Sequence, residues 1–196
     1  LATSMRGMRG TMIDMYRQPE KLHAAMDKIL MLQLPEIIFA AKESGNPRVT
    51  LLLFRGSDGF MSLEQFEEFY WPGTKQLILT LIEEGLTPCV WFEGVWDQRL
   101  DYLAELPEGK VMGIFERTDL SKASEVLRGK MCIAGGMPIT LLQTGAQAEI
   151  REHTQKTVKT LGQEGSYNMA CSTAMVSVPE ENLAAWVDAT VEFGVY

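Results

Sequence analysis

Five short apolar segments of this chain each run into residues able to bind or react. They are Phe54-Arg55-Gly56-Ser57-Asp58, Trp91-Phe92-Glu93-Gly94, Phe115-Glu116-Arg117-Thr118-Asp119, Gly135-Gly136-Met137-Pro138 and Met169-Ala170-Cys171-Ser172. If the segments are parallel strands, these residues lie at the carboxyl ends, where α/β folds place their chemistry. Strand alternation sets Cys89, Trp91 and Glu93 on one face and Val90 and Phe92 on the other. A carboxylate that ends a buried strand must be paired or must coordinate something. Glu93 is therefore either an ion-pair partner of Arg55, Arg99 or Arg117, or a ligand. Cys171 holds the same relative place on the last segment and reads either as an ordinary buried cysteine or as a working thiol. Asp58, Glu93 and Glu116 could supply paired carboxylates for glycosidase-like acid–base chemistry, although no spacing singles them out.

Other chemistries are excluded by what is missing. The sequence has no GxGxxG, GxxxxGK[ST], CxxC, HExxH or GxSxG motif. Its two histidines, His23 and His153, fall in helical stretches without a metal-binding neighbour, which disfavours Ser-His-Asp and Cys-His hydrolases. Lys and Arg number 18 against 26 Asp and Glu, a net charge of −8, so neither nucleic acid nor an anionic membrane is the expected partner. No apolar run approaches the ~18 residues of a membrane span. Three scattered cysteines point to a reducing cytoplasm; Cys89 and Cys132 sit mid-strand and read as core.

The elements that must position these residues alternate regularly. Helical periodicity covers residues 9–32, around a tolerated Pro19, and 34–44, up to the stop at Gly45-Asn46-Pro47. Strands are expected at 49–54, 88–92, 111–115, 131–134 and 167–171. The first is a nearly unbroken apolar run, as suits burial on both faces. Helices are expected at 62–84 (capping box Ser62/Gln65), 97–106, 119–127 (capped by Asp119), 138–142, 144–161 (capping box Thr144/Gln147) and from Ser177 onward. This βα alternation is that of a parallel α/β fold in a single domain spanning residues 1–196.

Residues 62–194 resemble the C-terminal part of the uroporphyrinogen decarboxylase superfamily, which also contains corrinoid-dependent methyltransferases. Ser62-Leu63-Glu64-Gln65-Phe66 with Pro72 looks like the family's SPEQF…P helix. Gly113-Ile114-Phe115-Glu116-Arg117-Thr118-Asp119-Leu120 is similar to its GLDWRVDL segment. Gly135-Gly136-Met137-Pro138, followed by Leu141, Leu142 and Gly145, resembles GNLDP…LL…G, and Pro179-Glu180-Glu181-Asn182 resembles TPPEN. The resemblance implies a TIM-type (β/α)8 barrel, of which this chain would hold about five βα units and lack the N-terminal strands, with Leu1 an artificial-looking start. An open sheet edge would then associate with another chain or with the missing part.

The resemblance also frames the function. Zinc-bearing methyltransferases of the superfamily carry a His-x-Cys pair where this chain has Trp91-x-Glu93, and a further Cys matching Cys171. A variant zinc site of Glu93 and Cys171 is one implication, with a third ligand from elsewhere. Such a zinc ion would activate a thiol for methyl transfer to or from a corrinoid. Asp58, Glu116 and Arg117 would orient the reactants, and Arg55 and Trp91 would contact substrate. The alternatives are a uroporphyrinogen decarboxylase, for which Arg55 and Arg117 supply few cations, and a catalytically incomplete barrel fragment.

Overall fold

The structure, a computed structural model, describes residues 2–162 and 165–195; Leu1 lies outside them. The chain divides into two compact units, residues 1–50 with 60–88 and residues 51–59 with 89–196.

The first unit is mainly helical. Helices α1 (Ala2–Arg6) and α2 (Met8–Arg17) precede the long α3 (Pro19–Ser44). The break falls at Gln18, and helix then continues unbroken across residue 33 to Ser44, contrary to the expected division. Pro19 explains this: as the first residue of a helix it needs no N–H partner and its ring presets φ. Pro35 is carried inside α3. Arg6 donates to Asp14 at 2.7 Å and holds that carboxyl below its ordinary pKa. Ser62 caps α4 (Leu63–Gln65) as expected, its Oγ accepting the Gln65 N–H while Gln65 Oε1 accepts the Ser62 N–H, both at 3.2 Å.

A π turn, Phe66–Tyr70, follows before α5 (Trp71–Glu83). Pro72 has no N–H for the usual i−4 carbonyl, and the Trp71 N–H bonds instead to Phe66, five residues back. Phe66 stacks on Tyr70 and Trp71 at 5.6 and 6.0 Å.

One sheet of five strands runs in sequential order: β1 (Arg48–Leu53), β2 (Thr87–Phe92), β3 (Met112–Phe115), β4 (Cys132–Met137) and β5 (Tyr167–Cys171). The pairings β2–β3, β3–β4 and β4–β5 are parallel. Between strands come a 3-10 turn (Asp97–Arg99) with α6 (Leu100–Leu103), then α7 (Leu120–Leu127), α8 (Ile139–Thr144) and α9 (Gln147–Leu161); α10 (Glu180–Phe193) follows β5. This sheet with alternating helices is the partial TIM-type barrel expected. Four details differ. β1 alternates exposed and buried residues, with Leu52 54% exposed, and is not buried on both faces. The helix expected at 97–106 is only a short turn and α6. The hydroxyl of Thr144 bonds back to Thr140 and caps nothing; Glu149 takes the Ala146 N–H at 2.8 Å and α9 starts there. Pro179, not Ser177, precedes α10.

Register sorts the strands into two faces. Cys89 aligns with Met112 and Cys132, and Trp91 with Ile114, Ala134 and Asn168, as successive rows of one face. The other face carries Val90, Phe92, Gly113, Phe115 and Ile133. There Phe92 stacks on Phe115 at 4.9 Å and meets Trp96 edge-on at 4.8 Å. A Cβ on Gly113 would lie 3.0–3.1 Å from Met131, Phe115 and Phe92, so this layer closes only over a glycine.

Candidate functional site

The carboxyl ends of β3, β4 and β5 frame a cleft of about 510 Å³. Its polar lining comes from Glu116, Arg117, Thr118, Thr140, Ser172 and Thr173, and its apolar walls from Phe115, Leu120, Pro138 and Ile139. A volume of this order suits a small-molecule ligand.

Each polar group has a structural reason for its place. Glu116 follows the last residue of β3, and its Oε2 accepts the Gly94 N–H at 2.6 Å. Gly94 turns there with φ 80, and a Cβ would lie 2.9 Å from Ser57. Arg117 is largely exposed, its Nε 3.9 Å from Glu116 Oε2. Thr118 is buried and accepts the Trp96 N–H at 3.0 Å. Asp119 caps α7 as expected, accepting the Ser121 N–H at 2.9 Å.

Two expected site residues have other work. Asp58 pairs with Arg99, whose side chain is 1% exposed, and also accepts the Gln98 N–H at 3.1 Å. Its carboxylate ties the segment after β1 to the segment after β2 and is not aimed into the cleft. Arg99, named above as a partner for Glu93, is thus taken by Asp58. Glu93 is exposed, so the premise of a costly buried carboxylate does not hold; its carbonyl accepts the Trp96 indole N–H at 2.9 Å. Trp91 is half-buried in the middle row of its face, and Arg55 is half-buried with φ 67.

Cys171 belongs to an apolar cluster with Met137, Leu142, Ile150 and Trp186. It therefore lies on the helix-covered face, whereas strand alternation puts Glu93 on the opposite one, with β3 and β4 between their strands. Zinc holds its ligands at about 2.0–2.3 Å, and these two side chains do not converge. Among the described residues no three His, Cys, Asp or Glu side chains form a metal-holding group. The residues present do not fit the zinc ion implied by the resemblance.

The sequence places His153 in a helical stretch without a metal-binding neighbour. Its Nε2 lies 2.6 Å from the carbonyl of Gly136, a residue that lines the cleft. Gly136 and its neighbour Gly135 take φ values of 99 and 137.

A Cβ on Gly135 would fall 2.8 Å from the Phe115 carbonyl, a backbone atom that cannot swing away. Gly135→Ala is expected to cost about 1–3 kcal/mol, read by urea unfolding. Cys132 is half-buried, and burial, with Cys89 nearby, raises its thiol pKa. A raised pKa keeps the thiol protonated, so alkylation by iodoacetamide at pH 8 should be slower than for a free cysteine and should rise only at more alkaline pH.

A family model described as uroporphyrinogen decarboxylase (URO-D) matches residues 1–193, reaching well beyond the stretch whose motifs carried the resemblance. The uroporphyrinogen decarboxylase of Geobacter metallireducens is 29% identical over 176 residues, covering 89% of this chain and 50% of that protein. That of Syntrophotalea carbinolica is 26% identical over 175 residues, covering 89% and 49%. The chain spans about half the length of the curated relatives it matches. A solved methyltransferase from Methanosarcina mazei shares the fold, with a TM-score of 0.78 at 18% identity over 95% of this chain and 54% of that one.

Proposed function

The chain belongs to the uroporphyrinogen decarboxylase family, and from that premise we propose that it serves a methyltransferase-like member. The reaction would move a methyl group between a corrinoid and an acceptor held in the cleft at the ends of β3, β4 and β5. Because the chain spans about half the length of its relatives, the activity is proposed for the whole protein.

The carrying observation is the charge of the cleft. Arg117 is the only cation among the described residues lining it. A porphyrinogen with many carboxylates needs several cations to offset its charge on binding. The other lining polar groups are hydroxyls and one carboxylate, which suit a weakly charged acceptor. The fold likeness to a methyltransferase agrees with this reading.

With a methylated corrinoid as donor and a thiol as acceptor, the methyl group would pass to sulfur, and the electron pair of the broken Co–C bond would leave with the corrinoid product. The acceptor's proton needs a base. Glu116, whose carboxylate accepts the Gly94 N–H, would take it, and Arg117 would hold an anionic end of the acceptor. The second reading, decarboxylation of uroporphyrinogen, is favoured by the names of the sequence relatives.

Incubation with methylcobalamin and a small thiol separates the two. Loss of the methylcobalamin absorption with formation of the thioether supports methyl transfer. Carbon dioxide release from uroporphyrinogen, with methylcobalamin untouched, overturns it in favour of the decarboxylase. Neither reaction would point to an incomplete barrel.

A further inference from the structure

The floor of the cleft is held from behind. Gly135 and Gly136 take φ values of 137 and 99, a region L side chains rarely adopt. Two consecutive glycines leave the backbone many states, and each residue fixed costs about 1–2 kcal/mol in entropy. Something must hold them, and two side chains do. The Tyr167 hydroxyl, from β5, donates to the Gly135 carbonyl at 2.8 Å, with the Met169 sulfur 3.0 Å away. His153 Nε2, from α9, lies 2.6 Å from the Gly136 carbonyl and 3.4 Å from Thr157 Oγ1. A carbonyl only accepts, so Nε2 carries the hydrogen. A Cβ on Gly136 would meet the Tyr167 hydroxyl at 2.6 Å and Thr157 Cγ2 at 2.9 Å, so the clamp closes only on glycine.

We propose that His153 and Tyr167 are positioning residues for the cleft. They clamp the Gly135 and Gly136 carbonyls and so set where Gly136 and Pro138 stand opposite Glu116 and Arg117. They act through the backbone of the floor, and neither side chain lines the cleft. The role in ligand binding rests on the cleft being the functional site; the clamp itself does not.

Amide exchange at Gly136 and Met137 tests the clamp without any ligand. His153→Leu and Tyr167→Phe each remove one hydrogen bond and are expected to speed exchange there by about three- to tenfold, with distant amides unchanged. His153→Gln, whose amide reaches as far as Nε2, should restore the wild-type rate. The KM for a small thiol acceptor, with methylcobalamin as donor, should rise and recover in step. Unchanged exchange in His153→Leu and Tyr167→Phe, or no recovery in His153→Gln, overturns the proposal. If the wild-type protein does not transfer methyl from methylcobalamin to the thiol, the functional reading falls, and the exchange rates alone decide the clamp.

Discussion

Replacing Asp58 by Ala is expected to destabilise the protein by about 3–5 kcal/mol, because it removes the carboxylate paired with a buried guanidinium. The Arg99 side chain is 1% exposed, and Asp58 is its ion-pair partner. Removing one partner of a buried pair takes away its attraction while the remaining charge stays out of water. At this chain length, that loss corresponds to a fall in Tm of about 6–20 °C. The Asp58→Ala/Arg99→Met double variant removes both charges and should recover most of the loss. Urea unfolding of the two single variants and the double variant measures this. A loss below about 1 kcal/mol in Asp58→Ala, as for exposed pairs, would show that the pair is solvated in solution. The same experiment separates a structural Asp58 from the substrate-orienting role that its place after β1 suggested.

The contrast between Asp58 and Glu116 shows what the sequence could and could not convey. Strand order and the segments near strand ends were legible because apolar runs, glycine stops and caps are local signals. β5 and the Ser62 and Asp119 caps fall where they were expected. The pairing of Asp58 with Arg99 joins residues 41 apart, and no local pattern records it. Glu93 and Cys171 both end apolar segments, and on that ground alone they look equivalent. Their faces differ because Cys171 lies within β5, turned to the helices, while Glu93 stands one residue past β2. His153 was missed for a similar reason. Its partner is a backbone carbonyl on a different element, and carbonyls have no sequence signature. Proline 19 was misjudged because a helix start and a tolerated interior proline look alike until the preceding residue's conformation is known.

Glu116 carries the second large effect. Its carboxylate is held by the Gly94 N–H beside Arg117, at the polar end of the cleft. Glu116→Gln keeps the size of the side chain and removes the base, and general-base contributions amount to about 10²–10⁴-fold in rate. Arg117→Ala should act differently, raising KM for an anionic acceptor more than it lowers kcat. The most direct measurement is the rate of methyl loss from methylcobalamin, with a thiol acceptor, for the wild-type protein and Glu116→Gln side by side. The proposed site predicts turnover by the wild type and a fall of at least about 10²-fold in the variant, with unchanged stability. Equal rates in the two proteins, or loss of turnover on replacing Cys171 but not Glu116, would contradict it.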